Sequence, residues 1–246
     1  MRQFDFRHLP LALKVLENLD YYSHARVVRE LRDLAAMIRA STGAPLEETY
    51  FASFTAHGKS GDWIVSDFRF AMDMRQQALD ALFIDLISLS DFKIMPDVDH
   101  SPPPPKAFVF LDDFIGSGDS AIKTWGRIQS ETNVSDRYYH AALVGCQAGV
   151  ANIRDYAPEL TVLCNRVIPS TQKAFRPEGA IFTPEEIGVL KEYCKIANPE
   201  IPTGYKDTQA LTVFYQRCSN SVIPVIYGEN ENWIPLFPRR FKPDYL

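Results

Sequence analysis

In the stretch "AFVFLDDFIGSGDSAI", Ala107 to Ile122, a mostly apolar run meets two adjacent aspartates and then a loop of glycine and serine. The spacing predicts a buried strand over 107–111 and a helix from about Ser120 to Glu131. Asp112 and Asp113 then fall at the carboxyl end of a strand, where open α/β sheets bind ligands. Gly116 and Gly118 let the backbone bend tightly and approach a ligand with no side chain between. Ser117 and Ser120 add hydroxyl donors. The following helix turns its unpaired N–H groups and positive dipole end toward the loop, which favours a phosphate. A phosphate cradle beside two carboxylates suits a ligand with an anionic end and neighbouring hydroxyls or a metal, and a ribose phosphate meets that description. A plain strand-to-helix turn with solvated aspartates is the competing reading. The order of strand, acid pair, glycine loop and helix favours the first.

Elsewhere the pattern alternates between helix and strand. Residues 11–40 read as helix, in one or two pieces, with Ser23 placed to cap the second and Leu31, Leu34, Ala35 and Ile38 on its buried face. "ETYFASFTA" (48–56) reads as a strand, "HGKSGD" (57–62) as a polar break, and 63–90 as mainly helix. "DVDHSPPPPKA" is an extended segment, because consecutive prolines preclude helix or interior strand. "YYHAALVGC" and "LTVLCNRVI" read as strands around a helix at 147–157, and "TPEEIGVLKEYCKIA" as a helix capped by Thr183. "QALTVFYQRCSNSVIPVIY" suggests two strands around a turn at Ser219 to Ser221. Such alternation implies an α/β fold with a largely parallel sheet.

Net charge of -5 gives no general electrostatic case for nucleic acid or an anionic membrane, and no direct nucleic-acid binding is expected. Four scattered cysteines without a CxxC pair fit reduced, mostly buried thiols rather than a zinc site or disulfide framework. The N-terminal residues lack a signal-peptide core and no run is long enough to span a bilayer, so the expected location is cytoplasmic, with no membrane partner.

The residues "FVFLDDFIGSGDSA" resemble the phosphoribosyl-diphosphate-binding motif of type I phosphoribosyltransferases: four apolar residues, two acids, two apolar residues, then a Thr/Ser/Gly loop opening a helix. The resemblance implies that Asp112 and Asp113 bind the ribose 2′ and 3′ hydroxyls, directly or through Mg²⁺ as cofactor. It implies that Gly116, Ser117, Gly118, Asp119 and Ser120 wrap the 5′-phosphate. Asp119 departs from the family, which more often carries an uncharged residue there; its carboxylate repels phosphate unless it turns outward or caps the helix. Gly58, Lys59, Ser60 and Gly61 look like the family's diphosphate-binding loop after an earlier strand, with Lys59 placed to neutralise the leaving group. Their spacing is not that of a P-loop. Arg69, Lys173 and Arg176 read as surface charges, and Phe175 as a core or surface aromatic.

"GYKDTQALTVF" (Gly204 to Phe214), Asn220, Pro224 and "WIPLFPR" (Trp233 to Arg239) are similar to a bacterial subgroup of phosphoribosyltransferase-like proteins associated with conflict systems, including retron-linked anti-phage defence. Ser221 and Val222 depart from that subgroup's asparagine-richer turn. The resemblance implies one phosphoribosyltransferase-like domain over 1–246, with a helical segment at 1–45, a mostly parallel central sheet flanked by helices, and a C-terminal strand pair. It implies binding of phosphoribosyl diphosphate or a related nucleotide with Mg²⁺, and transfer or cleavage at ribose C1 with Asp112, Asp113 and Lys59 as catalytic groups. The alternative is an inactive nucleotide-sensing subunit that regulates a partner protein. Defence-system proteins and a second copy of the chain are the partners this resemblance suggests.

Overall fold

Four strands run side by side in the order β2-β3-β4-β5: β2 (Thr49–Ser53), β3 (Ala107–Ile115), β4 (Arg137–Cys146) and β5 (Leu160–Ile168). They belong to a computed structural model that describes residues 3–54, 60–74, 82–84, 105–179 and 181–239. β2 pairs with β3, and β3 with β4, in parallel. β3 is buried along nearly its whole length, as a parallel strand covered on both faces must be. Tyr50, Phe108 and Tyr138 lie opposite one another across three strands, with ring centroids 5.2 and 5.4 Å apart and nearly parallel planes. Such contacts pin the register. A one-residue slip would send every side chain of β3, Asp112 included, to the opposite face.

The chain divides into two compact units, one of residues 25–167 and one of 1–24 with 168–246. The first holds the four-stranded sheet. On one face α4 (Asp119–Ile128) and α5 (Gln147–Tyr156) bury Ala121, Trp125, Val150 and Ile153 against Phe108, Phe110, Tyr138 and Ala142. On the other, α2 (His24–Thr42) receives a hydrogen bond from Tyr139 Oη to the Ser41 carbonyl, 3.0 Å, and α3 (Ser60–Ala71) sets Phe68 against Phe51. Leu31, Leu34, Ala35 and Ile38 form the buried face of α2, as their spacing requires.

In the second unit α1 (Leu9–Glu17) turns Leu11 and Val15 inward, and β1 (Asp20–Tyr22) pairs in parallel with β6 (Thr212–Phe214). α6 (Pro184–Ala197) starts in a capping box: Thr183 accepts from the Glu186 amide and Glu186 from the Thr183 amide. Lys14 reaches Glu186 at 2.6 Å, and this contact and the cap hold the Glu186 carboxyl below its ordinary range. Trp233 is buried, its indole N–H donating to the Val225 carbonyl, so the "WIPLFPRR" segment packs its tryptophan inward.

Several expectations change. Residues 11–40 form two helices, one of the two readings expected, but with strand β1 between them, because Tyr22 and its neighbours find a partner about 190 residues away. The helix read at 63–90 ends at Ala71 among the described residues; Phe83 bridges Phe51 and the Ile84 amide donates to its carbonyl, which makes this short piece extended. β3 runs to Ile115, four residues past its expected end. The C-terminal strand pair is β6 with β1. Residues 224–227 are a helical turn, α7 (Pro224–Tyr227), started by a proline at its first position. No helix among the described residues is long and apolar enough to cross a membrane.

Candidate functional site

Parallel neighbours discharge their following loops at one edge, so the connections β2–α3, β3–α4 and β4–α5 all leave the carboxyl edge of the sheet. Thr124 of α4 donates to the Phe54 carbonyl at 3.2 Å and ties the first two together. The β3–α4 loop is three residues long, Gly116 to Gly118. Gly118 has φ +84°, a left-handed conformation that favours glycine. A Cβ there would meet the Gly149 carbonyl at 2.6 Å, and a Cβ at Gly149 would lie 2.0 Å from the Gly116 oxygen. Asn152 donates to the Ser117 carbonyl at 3.0 Å. The loop is therefore seated on the first turns of α5, and Gly118 is required by that contact as well as by its φ.

Ser117 Oγ accepts from the Asp119 amide at 3.4 Å, and the Ile122 amide closes the first turn onto the Gly118 carbonyl. The first-turn amides of Ser120 and Ala121 precede any intrahelical acceptor, so α4 offers N–H groups and a positive dipole end at this point. Ser120 is exposed. Asp119 is the first helical residue, a position the dipole favours for an acid, with α4 beginning one residue ahead of expectation.

The two aspartates are not equivalent. Because β3 continues through them, successive side chains turn to opposite faces. Asp112 shares a face with Phe110 and His140, keeps 13% of its side chain exposed, and is held on both oxygens: Oδ1 accepts from the Asp113 amide at 2.9 Å, and Oδ2 lies 3.3 Å from His140 Nε2. Asp113 turns the other way and is 3% exposed. Both are hard oxygen donors. Among the described residues no group of three or more His, Cys, Asp or Glu forms a metal cage, so a Mg²⁺ ion at this edge would take one or two carboxylates and complete its shell from substrate oxygens and water, as it commonly does.

His140 is the neighbour of Asp112 that sequence reasoning missed. It sits inside β4, one strand over from Asp112, and no histidine is given a role by the sequence pattern. The signal present was a single imidazole in the otherwise apolar run "YYHAALVGC". Gly58 and Lys59 also lie outside the described residues, while Ser60 and Gly61 open α3. Arg69 stacks its guanidinium 4.7 Å from the Phe83 ring centroid. In the other unit Lys173 donates to the Asp207 carbonyl at 2.6 Å and Phe175 is buried. All four cysteines are free; burial pushes the Cys164 thiol up to about 12, with Cys146 and Asp112 adding to the shift, so it remains protonated beside the site.

A family model described as PRTase-CE matches residues 1–239. Among solved structures, the Helicobacter pylori xanthine-guanine-hypoxanthine phosphoribosyltransferase is 14% identical over 61% of this chain and 89% of its own, with a TM-score of 0.37. A hypoxanthine-guanine-xanthine phosphoribosyltransferase is 14% identical over 60% and 77%, at 0.35. The AQ2163 protein from Aquifex aeolicus is 11% identical over 68% and 87%, at 0.38. No curated protein matches the chain.

Proposed function

The chain belongs to the PRTase-CE family, and from that premise we propose that it binds phosphoribosyl diphosphate or a related nucleotide with Mg²⁺ and acts at ribose C1. The observation that carries this reading is the junction of β3 and α4, where a doubly held Asp112 stands one three-residue loop away from a helix N-terminus. Asp112 presents its accessible edge to the ribose hydroxyls. Its fixed charge favours the positive charge that develops on the ring as the bond from C1 to the leaving group breaks. The Asp113 backbone N–H supports it from behind by donating to Oδ1. Gly116, Ser117, Gly118, Asp119 and Ser120 enclose the 5′-phosphate with loop and first-turn amides.

Gly58, Lys59, Ser60 and Gly61, ahead of and at the start of α3, receive the diphosphate, and the Lys59 cation offsets its charge. The electron pair of the C1–O bond leaves with the diphosphate oxygen, and a lone pair of the acceptor nitrogen forms the new bond at C1. On a nucleotide substrate the C1–N bond breaks instead, its electron pair leaving with the base, which takes up the proton released as a water oxygen adds at C1. Mg²⁺, when bound, would take Asp112 as its protein donor at this edge and supply Lewis-acid neutralisation of the leaving group; Asp113, on the opposite face of β3, would reach it only through a change of side-chain direction.

The resemblance of Gly204 to Phe214 and Trp233 to Arg239 to conflict-system proteins supports a role as an anti-phage defence effector. Calorimetry with phosphoribosyl diphosphate and Mg²⁺ should give binding heat that Asp112→Asn abolishes. Metabolite profiles of cells expressing the chain should differ from those with Asp112→Asn/Asp113→Asn. Absence of both heat and metabolite change overturns the reading, and equal phage plating on the two strains removes the defence role.

A further inference from the structure

We infer that His140 is a positioning residue for Asp112, donating from Nε2 to hold that carboxylate in one orientation at the sheet edge. The functional half of this inference rests on the ribose-binding role proposed above; the geometric half does not. His140 is 1% exposed, and β4 places it on the same face as Asp112 with Nε2 3.3 Å from Oδ2. The ring of Phe54 meets the imidazole edge-to-face, centroids 4.7 Å apart and planes at 84°, and so restricts its rotation. Nδ1 is buried and has no hydrogen-bond partner among the described residues. That asymmetry decides the tautomer. A proton on Nδ1 would leave a buried donor with no acceptor, the costlier and rarer kind of orphan, and would leave Asp112 facing a bare nitrogen. A proton on Nε2 satisfies Asp112 and leaves only an unused acceptor.

The consequence for Asp112 is a carboxylate with each oxygen held by a hydrogen bond within the sheet, Oδ1 by the Asp113 amide and Oδ2 by the imidazole. Without the imidazole donor Oδ2 loses its 3.3 Å contact, and the carboxylate is held less firmly in that orientation when the sugar binds. Loss of one hydrogen bond to a charged group corresponds to roughly a tenfold or larger fall in affinity.

The test has two arms. In the first, ¹⁵N spectra of the histidine rings in the full chain should show a protonated Nε2 and a bare Nδ1 for His140, with the Nε2–H resonance moving in Asp112→Asn. A protonated Nδ1, or a resonance indifferent to Asp112→Asn, overturns the inference whatever the ligand does. In the second, phosphoribosyl diphosphate with Mg²⁺ is titrated into wild type, His140→Phe and His140→Gln, with melting temperature measured on each. Gln carries an amide donor at about the reach of Nε2, whereas Phe keeps the ring and removes the donor. Affinity should fall about tenfold in His140→Phe and return to within about threefold in His140→Gln, while both variants melt at similarly reduced temperatures. Equal weakening in both, or affinity that tracks melting temperature, shows a packing role only and refutes positioning. If wild type itself gives no heat, the ribose-binding role fails, and the spectra alone decide the His140–Asp112 contact.

Discussion

Gly149→Ala isolates the contact between α5 and the β3–α4 loop. The new methyl would start 2.0 Å from the Gly116 oxygen, 2.9 Å from its carbonyl carbon and 3.1 Å from the Gly118 nitrogen, all backbone atoms that no rotamer change can move. An ordinary carbon–oxygen approach is about 3.3 Å, so loop and helix must separate by about 1.3 Å. Overpacking of this kind costs about 1–3 kcal/mol, while alanine in a helix gains about 1 kcal/mol over glycine. The steric term wins, leaving a net loss of about 1 kcal/mol. Gly126→Ala in α4 provides the reference, because nothing lies within 4 Å of its Cβ position and only the propensity gain remains. Urea unfolding should therefore move the two variants in opposite directions. Because the displaced atoms belong to the proposed phosphate loop, affinity for phosphoribosyl diphosphate should fall roughly tenfold or more in Gly149→Ala alone. Stabilisation equal to that of Gly126→Ala refutes the close approach. A destabilised variant with wild-type affinity refutes its coupling to ligand binding.

Phe108→Ala removes the middle ring of the Tyr50–Phe108–Tyr138 ladder and should cost about 3–5 kcal/mol by denaturant unfolding; a loss under about 1 kcal/mol would show that the ladder does not hold the register. Thr183→Ala deletes half of the α6 capping box and should cost about 1 kcal/mol, with Thr183→Ser close to wild type. Burial pushes the Cys194 and Cys218 thiols up to about 12 from an ordinary 9.0, so the folded chain resists ionising them. Their contribution to stability is complete below pH 9 and is lost as pH rises from there through about 12, because the unfolded chain ionises first. Each thiol adds a slope of about 1.4 kcal/mol per pH unit in that window, and Cys218→Ala should flatten the fall in urea midpoint between pH 9 and 11.

The readable parts of this chain were those whose causes are local. Leu160–Ile168 and Thr183 with α6 fall where composition and capping chemistry put them, because a strand's apolar content and a helix's first-turn hydrogen bonds are written within a few neighbouring residues. The acid pair, glycine loop and helix could be ordered along the chain for the same reason. Pairing across the sequence was not readable in this way. β1 reads as part of a helical stretch in the sequence because its partner, β6, lies about 190 residues away. β3 extends past the end its sequence predicts because aspartates are poor strand formers alone, and the parallel ladder with β4 overrides that preference.

Residue types and their order along the chain determined that an acid-bearing strand end meets a helix N-terminus through glycine and serine. Only the folded sheet decided that Asp112 and Asp113 face opposite sides, that His140 rather than a loop histidine stands against Asp112, and that Gly149 rather than a ligand alone explains the bare backbone at Gly118. Those outcomes depend on register, and register is set by side chains packing between strands that the linear order does not bring together.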